Sequence, residues 1–363
     1  MFKRRKTPAE QRSQEIDHEI KLDEKRLSEK HSILLLGTGE SGKTTILKQM
    51  HLIYINEYTT EEKQSKSVDI RNNIHDSIYK IVSNLKKVRP AIVVHNEETK
   101  KAVEYILRLG ADPLPVYTQE YYDNVAFLWR DVDIQEMYKR ANEFHLLDST
   151  EEFMKRLDVI RRADYVPDTQ DILYCRVKTT AVQTIEFKIK HGGHMVSFVM
   201  HDVGGQRGQR RKWISLFEGI KTLLFVISVS DFDQVLREDE STNRLEEALT
   251  TFGNMFNSRY LNPHTAIVFL NKEDILQKKI QRGISIGTYF ARYKQFKKPS
   301  DDEFTNTKAF IKEEVDTIVK CGNKKRTAHI HFTIATNTQN IQHIFDSVHE
   351  MLIDIAVKNI ALY

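Results

Sequence analysis

The 363-residue chain carries 55 Lys and Arg against 51 Asp and Glu, a formal net charge of +4, with 40% hydrophobic and 29% charged residues. That profile suits a folded globular protein with room for one large domain or two ordinary ones, and argues against a disordered chain. So small a charge, with no basic run interleaved with aromatics, argues against nucleic acid as a partner.

Residues 8–31 open the predicted elements with a charged helix, on which Ile16, Ile20 and Leu27 form one narrow apolar stripe. A stripe that thin reads as a docking seam rather than half of a core. No apolar segment of a secretory signal precedes it, and no apolar run anywhere is long enough to cross a bilayer. Residues 32–36 are a short apolar run ending at Gly37, which predicts a buried strand, and 44–55 follow with helical spacing.

From 57 to 173 the patterns are helical. Ile70, Ile74, Ile78, Ile81, Val82 and Leu85 predict a long amphipathic helix bounded by Pro90. Val103, Ile106 and Leu107 suggest another, and shorter ones run through 125–129, 134–138 and 153–160. Strand signals then return. Segments 181–190 and 195–200 flank His191-Gly-Gly-His194, a hairpin turn, and apolar runs follow at 222–229, 266–270 and 329–334. Helical stretches separate these runs, the rhythm of a mostly parallel sheet, and a final helix spans 337–358. The expected architecture is α/β, with an all-α unit (57–173) inserted into a sheet domain (32–56 and 174–363) behind an N-terminal helix (1–31). Only Cys175 and Cys321 occur, without a CxxC, which argues against a disulfide framework or a structural zinc site and fits a reducing cytosol.

GTGESGKT at 37–44 matches the phosphate-loop pattern between a predicted strand and a predicted helix, the context that this motif requires. Backbone N–H groups through Gly39, Glu40, Ser41, Gly42, Lys43, Thr44 and Thr45, with the helix N-terminus behind them, supply donors to a polyphosphate. Lys43 reaches the terminal phosphates, and the Thr44 hydroxyl ligates Mg²⁺. NKED at 271–274 separates guanine from adenine. The Asp274 carboxylate can accept from the guanine N1–H and N2 amine, whereas adenine would leave it unpaired. Lys272 lies along the purine ring and Asn271 ties the loop together, while the Ala335 N–H within TIAT (333–336) is a donor toward the guanine O6.

DVGGQ at 202–206 follows a predicted strand. Asp202 holds Mg²⁺ through water, Gly205 offers an unobstructed N–H to a γ-phosphate, and Gln206 orients the attacking water. In 171–180, Thr179 completes the metal shell and Arg176 neutralises charge on the departing phosphoryl group.

GTGESGKT, DILYCRVKTT, DVGGQR, NKED and TIAT, in this order and with a helical insert between the first two, resemble the α subunits of heterotrimeric G proteins. The likeness covers essentially the whole chain, and KQM (48–50), YVPD (165–168), RKW (211–213), FLNK (269–272) and HFT (331–333) agree with it. The resemblance implies a Ras-like GTPase domain, bound GTP or GDP with Mg²⁺, Arg176 as a built-in arginine finger and Gln206 as the water-positioning residue. It also implies that Glu40 pairs with Arg176 and that Asp148 and Leu173 touch the nucleotide. Trp213 and Phe217 fall in the helix that moves in the second switch. The implied partners are a βγ dimer on the N-terminal helix and that switch, an effector, and a seven-helix receptor at the last helix, all at the cytoplasmic face of the plasma membrane.

The chain departs from the family in several places. Phe2 replaces the glycine needed for N-myristoylation and no cysteine precedes Cys175, so neither usual N-terminal lipid is expected. Lys3, Arg4, Arg5 and Lys6 leave only weak attraction to anionic lipid. Ile360 stands where one subclass has its toxin-modified cysteine, and Ala181 replaces a glycine after the two threonines, which stiffens the first switch. Residues 232–239 and 242–245 lean slightly toward the twelve/thirteen class.

Overall fold

The computed structural model describes residues 30–191, 194–261 and 265–360. All but the last two residues of the expected N-terminal helix, the basic cluster at 3–6, the glycine pair of the hairpin turn and residues 361–363 lie outside them.

Strand β1 (His31–Gly37) leads through the glycine-rich loop into α1 (Lys43–Tyr54). The regular elements from there to the next strand are all helices: α2 (Thr60–Asn84), α3 (Glu97–Leu109), α4 (Gln119–Arg130), α5 (Val132–Lys139), α6 (Thr150–Lys155), α7 (Leu157–Ile160) and α8 (Thr169–Tyr174). The sheet resumes with β2 (Gln183–His191), β3 (His194–Asp202) and β4 (Thr222–Ser228), then α9 (Arg244–Phe256), β5 (Thr265–Asn271), α10 (Glu273–Gln281), α11 (Tyr293–Phe296), α12 (Glu303–Cys321), β6 (Thr327–Thr333) and α13 (Thr338–Ile360).

Six strands form one sheet in the order β2-β3-β1-β4-β5-β6, with β2 antiparallel to β3 and every other pair parallel. Alternate residues of the central strands feed opposite cores. Leu34, Leu36, Phe225, Ile227, Val268 and Leu270 pack under α9 and α12, while Ile33, Leu35, Leu224, Val226, Ile267 and Phe269 pack under α1 and α13. Cover on both faces is why these strands read as unbroken apolar runs. The helices between α1 and β2 enclose a core of their own, with Ile70, Ile74, Ile78 and Ile81 of α2 against Ile106, Tyr121, Val125 and Leu128.

Segment 153–160 is two short helices rather than one, because Arg156 leaves helical geometry at φ −102° and ψ 9°. Its guanidinium pairs with Asp168 at 2.8 Å and with the buried Asp171, also at 2.8 Å, pinning the break to the start of α8. No helix among the described residues is long and apolar enough to cross a membrane.

Candidate functional site

Parallel strands deliver their carboxyl ends to one edge of the sheet, where open α/β folds place their ligands. Gly37, Asp202, Asn271 and Thr333 end β1, β3, β5 and β6 there, and the register sets Leu35 beside Asp202 and Asn271 beside Thr333. The helical unit faces this edge. Between them lies a cleft of about 240 Å³ lined by residues from both.

The loop after β1 wraps tightly. Gly42 has φ 104°, and a Cβ on it would collide with Asn271 Nδ2, so the turn into α1 needs glycine on both counts. Lys43 Nζ, buried, donates to the Gly37 and Thr38 carbonyls at 3.0 and 2.8 Å. Burial pulls its ammonium down to about 8, against the opposing pull of Asp202. Gly39, Glu40, Gly42, Lys43, Thr44 and Thr45 all line the cleft. Ser41 does not: it is fully buried, its hydroxyl without a partner among the described residues and its carbonyl accepting from Asn271 Nδ2 at 2.8 Å.

Three oxygen-bearing side chains from three segments meet behind Lys43. Thr44 Oγ1 lies 2.9 Å from Thr179 Oγ1 and donates to Asp202 Oδ2 at 2.6 Å. Among the described residues, buried Asp202 Oδ1 has no hydrogen-bond partner. Burial pushes the Asp202 carboxyl up, and Lys43 and Thr44 oppose the shift. Gly205 sits against the phosphate loop and Lys43. A Cβ there would strike the Gly37 carbonyl and come within 2.5 Å of Lys43 Nζ.

Glu40 holds φ 65° and is surrounded by cations, with Arg176 at 2.7 Å, Arg237 at 3.1 Å and Arg244 at 3.2 Å. Burial works against its charge, but Arg244, Arg176 and Arg237 outweigh burial and hold the carboxyl far below its usual range. The pairing of Glu40 with Arg176 is thus present. Arg237 and Arg244 were not foreseen as site residues, although both lie in the segments read only for subclass. Arg237 also donates to the His145 carbonyl of the helical unit at 3.2 Å, and Arg244 pairs with buried Asp231 at 2.7 Å.

On the far side, Asn271 Oδ1 accepts from the Thr333 hydroxyl at 3.1 Å and from the Ala335 N–H at 2.9 Å. Asn271 thus joins the Ser41 and Thr333–Ala335 segments to its own loop, and the Ala335 N–H, read from the sequence as a donor toward the guanine O6, donates here to Asn271. Lys272, at φ 67°, pairs with Asp148 of the helical unit at 2.6 Å. Asp148 therefore borders the cleft through Lys272, and Leu173 lines it as a buried apolar wall. Burial pushes the Asp274 carboxyl up.

Gln206 lines the opening opposite Gly39. The stretch after it, expected as a helix, forms 3-10 turns over Arg207–Lys212 and Ile214–Leu216. Short 3-10 pieces of this kind serve as connectors, and here their side chains are anchored to neighbouring segments. Arg210 donates to the Gly205 carbonyl at 3.1 Å and pairs with Glu247 of α9 at 2.7 Å, and buried Trp213 donates from Nε1 to the Gly204 carbonyl at 3.0 Å.

A family model described as "G-protein alpha subunit" matches residues 10–352. The chain is 42% identical to the guanine nucleotide-binding protein G(f) subunit alpha of Drosophila melanogaster, over 91% of this chain and 88% of that one. It is 37% identical to the G(s) subunit alpha of Homarus americanus, over 93% and 90%, and 37% identical to the human G(olf) subunit alpha, over 92% and 90%. These relatives do not support the lean toward the twelve/thirteen class. The segments behind that lean have structural work instead: Phe232 is buried in the core, Asn243 caps α9, and Arg237 and Arg244 grip Glu40.

Proposed function

Because the chain belongs to the G-protein alpha subunit family, we propose that the cleft between its helical unit and the carboxyl ends of its sheet is where it binds GTP and hydrolyses it to GDP. The protein is a GTPase and a GTP-dependent transducer of signals from G-protein-coupled receptors. The observation that carries the site assignment is the meeting of Thr44, Thr179 and Asp202 beside buried Lys43.

Two hydroxyls and a carboxylate with a buried oxygen unpaired among the described residues are hard donors that fit Mg²⁺, which Thr44 and Thr179 would hold directly and Asp202 through water. Mg²⁺ bound there supplies positive charge to the polyphosphate. Lys43 exchanges its two carbonyl partners for the β- and γ-phosphate oxygens, and the N–H of Gly205 faces the γ-phosphate. Arg176 turns from Glu40 toward the phosphoryl group as charge develops, and Gln206 orients the water that attacks. Asp274 accepts from the guanine edge, while Lys272 covers the ring. Loss of the γ-phosphate frees Thr179 and Gly205, and the segments around them relax.

In this reading residues 57–173 are an inserted domain, and the N-terminal segment with the surface of 207–217 receives a βγ dimer. The end of α13 meets the receptor, an effector reads the GTP-bound surface, and the protein sits peripherally at the inner membrane surface.

Single-turnover GTP hydrolysis tests the catalytic assignment. Arg176→Cys should slow it by about a thousandfold, and Gln206→Leu should slow it sharply too, with nucleotide binding retained in both. Unchanged rates in both variants overturn the assignment.

A further inference from the structure

Helix α10 begins at the base-reading end of the cleft and continues along the helical unit. Asp274 and Lys278 are four residues apart and Arg282 four further, at the helix end, so the three lie on one face. Asp274 borders the cleft, and one turn on Lys278 Nζ lies 3.5 Å from Glu151 and 3.7 Å from Glu152, both on α6 of the helical unit. A turn beyond, the Arg282 guanidinium stands over the ring of Tyr138 on α5, 5.9 Å from its centroid. Lys155 braces the two glutamates from their own helix at 3.1 and 3.3 Å.

We propose that Lys278 and Arg282 form a clasp with Glu151, Glu152 and Tyr138, holding the helical unit over the base end of the cleft and setting the rate at which bound guanine nucleotide leaves. The inference rests on the reading of the cleft given above. A ligand held between the two units leaves only when they part, and these contacts span the gap on the side where Asp274 meets the purine. The Lys278 side chain keeps 48% of its exposure and the glutamates 28% each, so every pair is weak and screened by solvent. Weak pairs suit a gate that must open repeatedly. Because α10 carries both Asp274 and the clasp, base recognition and closure share one rigid element.

The test is release of a fluorescent GDP analogue from the full chain, in wild type, Lys278→Glu, Glu151→Gln/Glu152→Gln, and the combination. Lys278→Glu should speed release about three- to tenfold, since two attractions become repulsions. Neutralising the glutamates should speed release in the wild-type background but slow it in the Lys278→Glu background. That inversion belongs to a direct pairing, because the loss of Lys155's partners is common to both backgrounds. Raising ionic strength should speed release from wild type and compress the differences. Lys278→Met, which keeps the aliphatic stem, should give an intermediate rate and guards against a packing artefact. Additive effects, or a Lys278→Glu rate equal to wild type, overturn the clasp. Wild-type protein that fails to bind the GDP analogue at all overturns instead the reading of the cleft.

Discussion

Gly205 marks the closest approach between the phosphate loop and the turn after β3. A methyl group there would strike the Gly37 carbonyl and crowd Lys43 Nζ, so the two segments must separate. Gly205→Ala should therefore keep GDP binding but lose the rearrangement that distinguishes the GTP-bound form. Trp213, bonded to the neighbouring Gly204 carbonyl, reports on it: the difference in its emission between GDP and a GTP analogue should vanish, and an undiminished difference would refute the argument. His31 makes a second, independent case at this scale. Its Nε2 lies 2.8 Å from the Thr222 hydroxyl at the start of β4, and burial, helped by Lys221, pulls its pKa to about 4. The unfolded chain then binds a proton that the folded one refuses between about pH 6.5 and about pH 4, so stability falls as pH falls through that window. Urea melts should show wild type losing on the order of 2 kcal/mol more than His31→Gln between about pH 7 and pH 5. Equal losses would show that His31 does not couple folding to protons.

Helix ends decide much of what happens one scale up. Thr59 accepts from the Glu62 N–H while the Glu62 side chain accepts from the Thr59 N–H, a reciprocal cap that starts α2 well before its first buried isoleucine. Thr59→Ala should cost about 1 kcal/mol, read as a lower denaturation midpoint, and a shift near zero would remove the cap from the argument. The same helix illustrates what could be read in advance. Its apolar face was legible because six residues recur at helical spacing, but its first two turns were not, since they are solvated and carry no period. The central strands were legible because cover on both faces leaves them uniformly apolar. In β6 exposed Thr327 and His329 interrupt the run, and the apolar signal began only at 329. For the segment 207–217 a helix was implied by the resemblance, whereas it forms 3-10 turns anchored to Gly204, Gly205 and Glu247, contacts that are tertiary facts. The phosphate loop, NKED and DVGGQ were legible because each needs particular residues at fixed spacing. Arg237 and Arg244 were not legible as site residues, since isolated arginines announce nothing until the fold sets them around Glu40.

At the scale of the molecule, the sheet separates two apolar interiors and the helical unit supplies a third, with the cleft between the unit and the sheet bridged by ion pairs such as Lys272 with Asp148. A ligand that binds only this closed arrangement stabilises it by mass action. GDP at a hundred times its dissociation constant should add about 2.7 kcal/mol and raise the thermal midpoint of nucleotide-stripped protein by a few degrees. ADP at the same concentration should leave it unmoved, because adenine gives Asp274 nothing to accept. A matching rise with ADP would show that the carboxylate does not select the base. The sheet also has an outer boundary at β2, whose only strand neighbour among the described residues is β3. Along that boundary Ile185, Phe187 and Ile189 turn inward, while Glu186, Lys188 and Lys190 stand in solvent. A second copy sliding up to extend the ladder would have to desolvate those charges, so the strand that closes the sheet also resists extension through it.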